Sequence, residues 1–131
     1  MIKFFSKFKI FFYFINFILI FLYLFPGSFF GIILYHDKKI QPQITPDFLI
    51  SSNHFYVFAL ISIIGFLSFI KTRQTRNLIS YLILLSIILE IFHIIIPERS
   101  FQWKDLFGNL LGVIVVIFFN NLINKYGLFK K

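Results

Sequence analysis

The chain has 131 residues, of which 59% are hydrophobic and 14% charged, with a formal net charge of +8 and a mean hydropathy of +0.87. So little polar surface excludes a water-soluble globular domain. The basic residues cluster at the ends of apolar runs and form no single stripe, which favours a membrane protein over a nucleic-acid-binding one. Cysteine is absent, so disulfides and thiolate chemistry are excluded as well.

Four apolar segments are long enough to cross the hydrocarbon core of a bilayer as helices. The first could continue past the Pro26-Gly27 break toward Tyr35. It also has the basic-then-apolar pattern of a signal peptide, but no small-x-small cleavage site follows it. We therefore predict a single all-α membrane domain, residues 1–131, with four transmembrane helices. These helices cover about residues 10–25, 55–70, 78–96 and 106–123.

The distribution of Lys and Arg between the predicted loops indicates the orientation in the membrane. By the positive-inside rule, the side with more basic residues faces the cytoplasm. The two termini and the second loop carry nine, namely Lys3, Lys7, Lys9, Lys71, Arg73, Arg76, Lys125, Lys130 and Lys131. The other side carries four, namely Lys38, Lys39, Arg99 and Lys104. We expect both termini to be cytoplasmic, in a multi-pass protein of the bacterial cytoplasmic (inner) membrane.

Glu90 interrupts the apolar run of the third predicted helix, about 9 Å below its outer end. A carboxylate at membrane depth is costly, so it is a functional-site hypothesis by default. Ser86, Glu90, His93 and Pro97 follow an i, i+4, i+7, i+11 spacing and should share one helix face. Asp105, Asn109 and Gly112 repeat the first three of those spacings on the fourth predicted helix.

The predicted topology brings polar side chains from three segments to one level near the outer end of the membrane. Glu90, His54 and Asp105 are the candidate catalytic residues, since they could exchange protons or hydrogen bonds. Arg99, His93 and Asn109 are the candidate binding residues, with the Arg99 guanidinium suited to an anion. A purely structural interpretation is also open, in which Glu90 pairs with Arg99 or accepts a hydrogen bond from Asn109.

Two further patterns bear on packing and on metals. Gly108 and Gly112 form a small-xxx-small pair, which predicts close helix packing. His54, Glu90, His93 and Asp105 are suitable zinc ligand types. The chain nevertheless lacks the paired Glu-x-x-His motifs of di-iron bundles and the His-Glu-x-x-His motif. We therefore predict no metal and no other cofactor.

These motifs resemble those of the VanZ-like membrane proteins over roughly residues 24–116. Residues 52–60, SNHFYVFAL, are similar to the family's second-helix motif. Glu90-Ile91-Phe92-His93, then Pro97-Glu98-Arg99-Ser100, then Asp105, Gly108-Asn109 and Gly112 resemble its signature. His93 stands where the family usually has Gln, and residues 51–53 replace its usual acidic residue before the histidine. The resemblance implies a small multi-helix membrane protein, in a family linked by name to glycopeptide resistance.

We expect an outward-facing polar pocket that binds or processes an anionic cell-envelope component, such as a lipid-linked phosphate or a cell-wall precursor. The expected partners are the lipid bilayer and that ligand, and no nucleic acid. The alternative is a non-enzymatic membrane scaffold that engages a membrane protein through Gly108 and Gly112. Solute or proton movement is disfavoured, because polar residues are sparse on the cytoplasmic side of Ser86. The residues leave open whether the pocket catalyses a reaction or only binds.

Overall fold

The computed structural model describes residues 2–70 and 72–127, without the side chains of residues 2–7 and 72. Lys71, Lys130 and Lys131 of the predicted cytoplasmic set lie outside the described residues, as do the side chains of Lys3 and Lys7. The described residues form five helices and no strand, which confirms the all-α prediction. The helices are α1 (Ile2–Leu24), α2 (Phe29–Tyr35), α3 (Ser52–Ser68), α4 (Thr72–Phe92) and α5 (Trp103–Tyr126).

Helix length and composition support a membrane protein. Two helices among the described residues, Arg73–Phe92 in α4 and α5 itself, are long and apolar enough to cross a bilayer. The pair Phe8–Leu24 and Phe29–Tyr35 qualifies as a third span if it is one broken helix bent by 81°. Helix α3 is apolar but has only 17 residues. Two or three spans are therefore supported by length, and the fourth stays a prediction.

The break at Pro26-Gly27 interrupts the first apolar segment. Helix α1 ends at Leu24, and Gly27 has a φ of +84°, a conformation that glycine adopts without strain. The chain then turns, and Ser28 caps α2 by accepting a hydrogen bond from the Gly31 N–H at 2.9 Å. The first helix therefore does not run straight on toward Tyr35 but leaves the α1 axis at a steep angle.

Helix α4 ends at Phe92, four residues before the predicted boundary. The backbone N–H groups of residues 93–95 bond to carbonyls three residues earlier, so the chain tightens into a turn. Glu90 consequently lies about 3 Å from the end of its helix, not the expected 9 Å. The predicted shared face is therefore wrong for Pro97, which is exposed beyond the helix, whereas Ser86, Glu90 and His93 are all buried.

Helix α3 packs against α1, α4 and α5, and its contact with α5 is the most extensive. Two glycines of α5 make that contact close. A Cβ added to Gly108 would lie 2.7 Å from the Ser51 carbonyl oxygen, and one added to Gly112 would lie 2.5 Å from that of Phe55. No side chain fits at such distances. The N-terminal halves of α3 and α5 are therefore held together backbone to backbone.

Asp47 fixes the start of α3. Its Oδ1 accepts a hydrogen bond from the Ser52 N–H at 3.0 Å, and its Oδ2 accepts one from Lys104 Nζ at 2.9 Å. The helix N-terminus favours a negative charge at this position. The Ser52 N–H, followed by Lys104, accordingly lowers the pKa of the Asp47 carboxyl below its ordinary value. This side chain links the loop before α3 to the first turn of α5.

Candidate functional site

Four segments place polar side chains at the same end of the bundle, inside the protein. We call them the buried polar cluster: Tyr23 of α1, His54 of α3, Glu90 of α4 with His93 just beyond it, and Asn109 of α5. Glu90 and Asn109 are 0% exposed, His93 is 2% exposed and the His54 side chain is 17% exposed. So much buried polarity requires hydrogen-bond partners.

Asn109 is the centre of this hydrogen-bond network. Its Nδ2 donates to the Ser86 carbonyl at 3.1 Å, which fixes the orientation of the amide because a carbonyl can only accept. Its Oδ1 then accepts a hydrogen bond from the Tyr23 hydroxyl at 2.8 Å and lies 2.9 Å from His54 Nδ1. One amide thereby connects all four of the long helices.

The contacts of Nδ1 favour one tautomer of His54. His54 Nδ1 lies 2.9 Å from Asn109 Oδ1 and 3.1 Å from the Tyr23 hydroxyl. Since that hydroxyl already donates to Asn109 Oδ1, both contacts are satisfied when Nδ1 carries the ring hydrogen. In the neutral imidazole, Nε2 is then left with a free lone pair. This Nε2 lies 3.7 Å from Asp105 Oδ2. The ring therefore presents a base or ligand atom toward Asp105.

Glu90 is bonded on one oxygen and unsatisfied on the other. Its Oε1 accepts a hydrogen bond from the Gln102 N–H at 3.0 Å. Its Oε2 has no hydrogen-bond partner, although it lies 3.2 Å from His93 Nδ1 and 3.9 Å from His54 Nδ1. His93 Nε2 donates to the Tyr23 carbonyl at 2.9 Å, so a neutral His93 faces Glu90 with a lone pair. Positive charge, from a proton or another cation, is needed at Glu90 Oε2.

Arg99 lies at the same end but bonds to backbone. Its Nε donates to the Phe25 carbonyl at 3.1 Å and its Nη2 to the Leu22 carbonyl at 2.9 Å. These carbonyls end α1, where the last turn leaves acceptors without helical partners. Partial burial lowers the pKa of Arg99 from its ordinary value, yet guanidinium keeps its charge at neutral pH. Neither structural partner expected for Glu90 is found: Arg99 forms no ion pair with it, and Asn109 bonds elsewhere.

Two cavities lie beside the cluster and share several wall residues. The polar one holds about 250 Å³, and its lining contains four cationic side chains and three carboxylates. The apolar one holds about 350 Å³ between α1, α2 and α3. Both are lined by Arg99 and His54. The charged residues of the polar lining are Lys38, Lys39, Arg99, Lys104, Asp47, Glu98 and Asp105.

All six predicted site residues lie at this end of the bundle. His54, Glu90, His93 and Asn109 belong to the buried polar cluster, Asp105 borders it, and Arg99 lines the adjoining cavities. Sequence reasoning missed Tyr23, whose ring also stacks on that of His93 at a centroid distance of 5.7 Å. A hydroxyl within an apolar helix needs a hydrogen-bond partner, and this could have indicated Tyr23. Among the 22 Phe residues of the chain, however, Tyr23 looked like one more aromatic residue.

No family model, curated protein or solved structure matches the chain. The resemblance to VanZ-like proteins therefore stays a prediction. What the site can do has to be argued from its own side chains and cavities.

Proposed function

We propose that this is a VanZ-like protein of the bacterial inner membrane, with four spans, both termini in the cytoplasm and the polar cavity open to the outer face. We further propose that this cavity binds the anionic head group of an envelope lipid, such as a lipid-linked phosphate. The observation that carries the proposal is that a charged cavity and an apolar one share Arg99 and His54 in their walls.

The charge of the polar cavity suits an anion. Lys38 pairs with Glu98 at 3.1 Å and Lys104 with Asp47 at 2.9 Å, so these two cations are already partly neutralised. Lys39 has no ion-pair partner among the described residues. Arg99 donates two hydrogen bonds to neutral carbonyls and keeps its full charge. Once these two pairs are set aside, Lys39 and Arg99 remain against the Asp105 carboxylate, so the lining keeps one net positive charge that attracts a phosphate or carboxylate.

The apolar cavity suits a hydrocarbon chain. Its lining includes Leu19, Leu22, Phe29, Leu34 and Val57, which come from α1, α2 and α3. A ligand with its head group at Arg99 would lay its first chain segment along these residues. A soluble anion would leave this surface unused, so the pair of cavities favours an amphiphile.

The scaffold alternative needs Gly108 and Gly112 to be accessible to a partner, and they are not. Gly108 and Gly112 are buried against the backbone of α3 in the same chain. A membrane partner would therefore have to dock on another face. The buried polar cluster, in contrast, involves every long helix and is costly unless it serves a purpose that apolar packing cannot.

The test is binding of a long-chain polyprenyl phosphate to the detergent-solubilised protein, measured by native mass spectrometry and by the fluorescence of Trp103, the one tryptophan. The matching uncharged polyprenol should bind about 10-fold more weakly, as expected for loss of one charge-assisted contact. Lys39→Gln should weaken phosphate binding and leave polyprenol binding unchanged. Arg76→Gln, at the opposite end of the bundle, is the matched control.

Equal affinity for the phosphate and the alcohol would contradict the proposal, as would a Lys39→Gln variant indistinguishable from Arg76→Gln. In cells, Glu90→Gln and Arg99→Ala should change sensitivity to envelope-directed antibiotics at matched protein levels. If both variants keep wild-type sensitivity, the pocket has no role in envelope-antibiotic sensitivity and the proposal fails.

A further inference from the structure

Negative charge and lone pairs converge at one point of the site without a cation. His54, Glu90 and Asp105 each offer one ligand atom, and these atoms lie within 4.8 Å of one another. Glu90 Oε2 is fully buried and has no hydrogen-bond partner. A buried carboxylate oxygen that lacks a donor is costly. We propose that His54, Glu90 and Asp105 bind a divalent first-row metal ion.

His54 is held as a metal ligand would be. Histidine ligands to metals usually donate their other ring N–H to a neighbouring acceptor, which fixes the tautomer and the ring orientation. Here His54 Nδ1 donates to Asn109 Oδ1 at 2.9 Å, and the Ser86 carbonyl in turn fixes the Asn109 amide. The other ring nitrogen, Nε2, lies 3.7 Å from Asp105 Oδ2, whereas Glu90 Oε2 lies 3.9 Å from Nδ1, so the Glu90 carboxylate has to shift toward Nε2 to share a metal ion with it.

The ligand types indicate the metal. One imidazole and two carboxylates suit Zn²⁺ or Mn²⁺. Ligand atoms on a tetrahedral zinc ion lie about 3.4 Å apart, since the bonds are about 2.1 Å long, so the widest separation of up to 4.8 Å must contract by about 1.4 Å. Rotation of the Asp105 side chain, which lies in the first turn of α5 and is 13% exposed, would have to supply part of that movement.

The site would keep coordination positions open toward the polar cavity, because three protein ligands do not complete a zinc or manganese sphere. A phosphate oxygen of the proposed lipid could occupy one of them. That last step rests on the proposed function, whereas metal binding by the three side chains does not. No local sequence motif marks this site, since its ligands come from three different helices.

The experiment measures metal content and affinity of the whole protein in detergent. The protein is stripped with a chelator and titrated with Zn²⁺ and with Mn²⁺ by calorimetry and by competition with a chromophoric chelator. We expect one equivalent of one of these ions. His54→Ala and Asp105→Asn should weaken its affinity by more than about 100-fold, and Asn109→Leu, which removes only the orienting partner, by about 10- to 100-fold.

His36→Gln and Asp37→Asn are matched controls, because they remove the same chemical groups from the loop after α2 and should keep wild-type affinity. Asp105 is only partly buried, so its variant is expected to fold even if Glu90→Gln does not, and thermal unfolding checks this. A wild-type protein that binds neither ion overturns the proposal and leaves a proton as the cation at Glu90. Wild-type affinity in Asp105→Asn overturns it as well. Polyprenyl phosphate binding is measured separately in chelator, so the two proposals can fail independently.

Discussion

The two ends of the helix bundle are built on different principles. At the end that holds the buried polar cluster, α3 and α5 touch through their backbones, and one amide connects four helices. At the opposite end, Phe12, Gly65, Phe69 and Leu78 meet mainly through apolar side chains, with the Phe12 and Phe69 rings edge to face at 5.3 Å. Within lipid, apolar contacts gain little over contacts with acyl chains. The directional contacts of the polar end therefore determine which helices pair and in what register.

The largest expected loss of stability comes from replacing a glycine by alanine at the polar end, and the same replacement at the opposite end should cost much less. In Gly112→Ala the new Cβ would lie 2.5 Å from the Phe55 carbonyl oxygen and 2.9 Å from the Ala59 nitrogen, and backbone cannot move aside cheaply. We expect a loss of about 3 kcal/mol in the free energy of unfolding. In Gly65→Ala the nearest atoms are Leu78 methyls at 3.0 Å, so the expected loss is below about 1 kcal/mol. Denaturant titration in detergent measures both, and equal losses would refute the contrast between the ends.

Removal of one polar side chain at each end gives the next largest effect. Asn109→Leu leaves the Tyr23 hydroxyl and His54 without their shared acceptor, and we expect a loss of about 1–3 kcal/mol. Ser68→Ala removes a hydroxyl that bonds to the Phe8 and Ile64 carbonyls, at an expected cost of about 0.6 kcal/mol. Denaturant titration in detergent compares the two losses. A larger loss for Ser68→Ala would show that the hydrogen bonds of Asn109 are not the main polar contribution to stability.

Asp47 makes the rim of the polar end sensitive to acid. Its pKa is lowered in the folded protein, so its stabilisation is complete above its unfolded pKa of about 3.9 and is lost as the pH falls through the folded value. Asp47→Asn should cost up to about 1 kcal/mol near neutral pH, because asparagine can still accept the Ser52 hydrogen bond but loses the charge that pairs with Lys104 and favours the helix N-terminus. It should also flatten the decline in unfolding temperature as the pH falls below about 4. If Asp47→Asn leaves the fall in unfolding temperature at low pH unchanged, other groups cause that pH dependence.

The smallest expected effect is that of Lys38→Gln. The Lys38 and Glu98 side chains are 50% and 40% exposed, so their ion pair at 3.1 Å is well solvated. We expect a change in stability below about 0.5 kcal/mol, which salt should diminish further. Unfolding temperatures at low and high ionic strength measure this. A loss as large as that of Asp47→Asn would mean that the loop contacts between Lys38 and Glu98 stabilise the fold more than their exposure suggests.

The sequence predicted the parts of the fold that depend on local pattern. Each of the four apolar segments forms a helix, because a continuous apolar run of that length satisfies its backbone hydrogen bonds within lipid as a helix, whereas a barrel strand is shorter and alternates in polarity. The site residues also converge as expected, since Glu90, Asp105 and Asn109 sit at fixed spacings near helix ends. These predictions needed only helix geometry and the order of the segments.

What the sequence did not predict depends on contacts between segments. The steep turn after Leu24 and the early end of α4 at Phe92 follow from packing that no local pattern shows. The hydrogen bonds of Arg99 to α1 are of the same kind, because charge and spacing alone suggested an anion or Glu90 as its partner. Tyr23 joins the cluster from the far end of the chain in sequence, 86 residues from Asn109.

The bonds of Arg99 to the carbonyls of Leu22 and Phe25 have a mechanical consequence. They fasten the last turn of α1 to the segment between α4 and α5, on either side of Tyr23. Arg99 thereby anchors the backbone on both sides of Tyr23, whose hydroxyl bonds to Asn109. A ligand that competed for the guanidinium would release these two carbonyls, so occupancy of the cavity and anchoring of the end of α1 would be coupled.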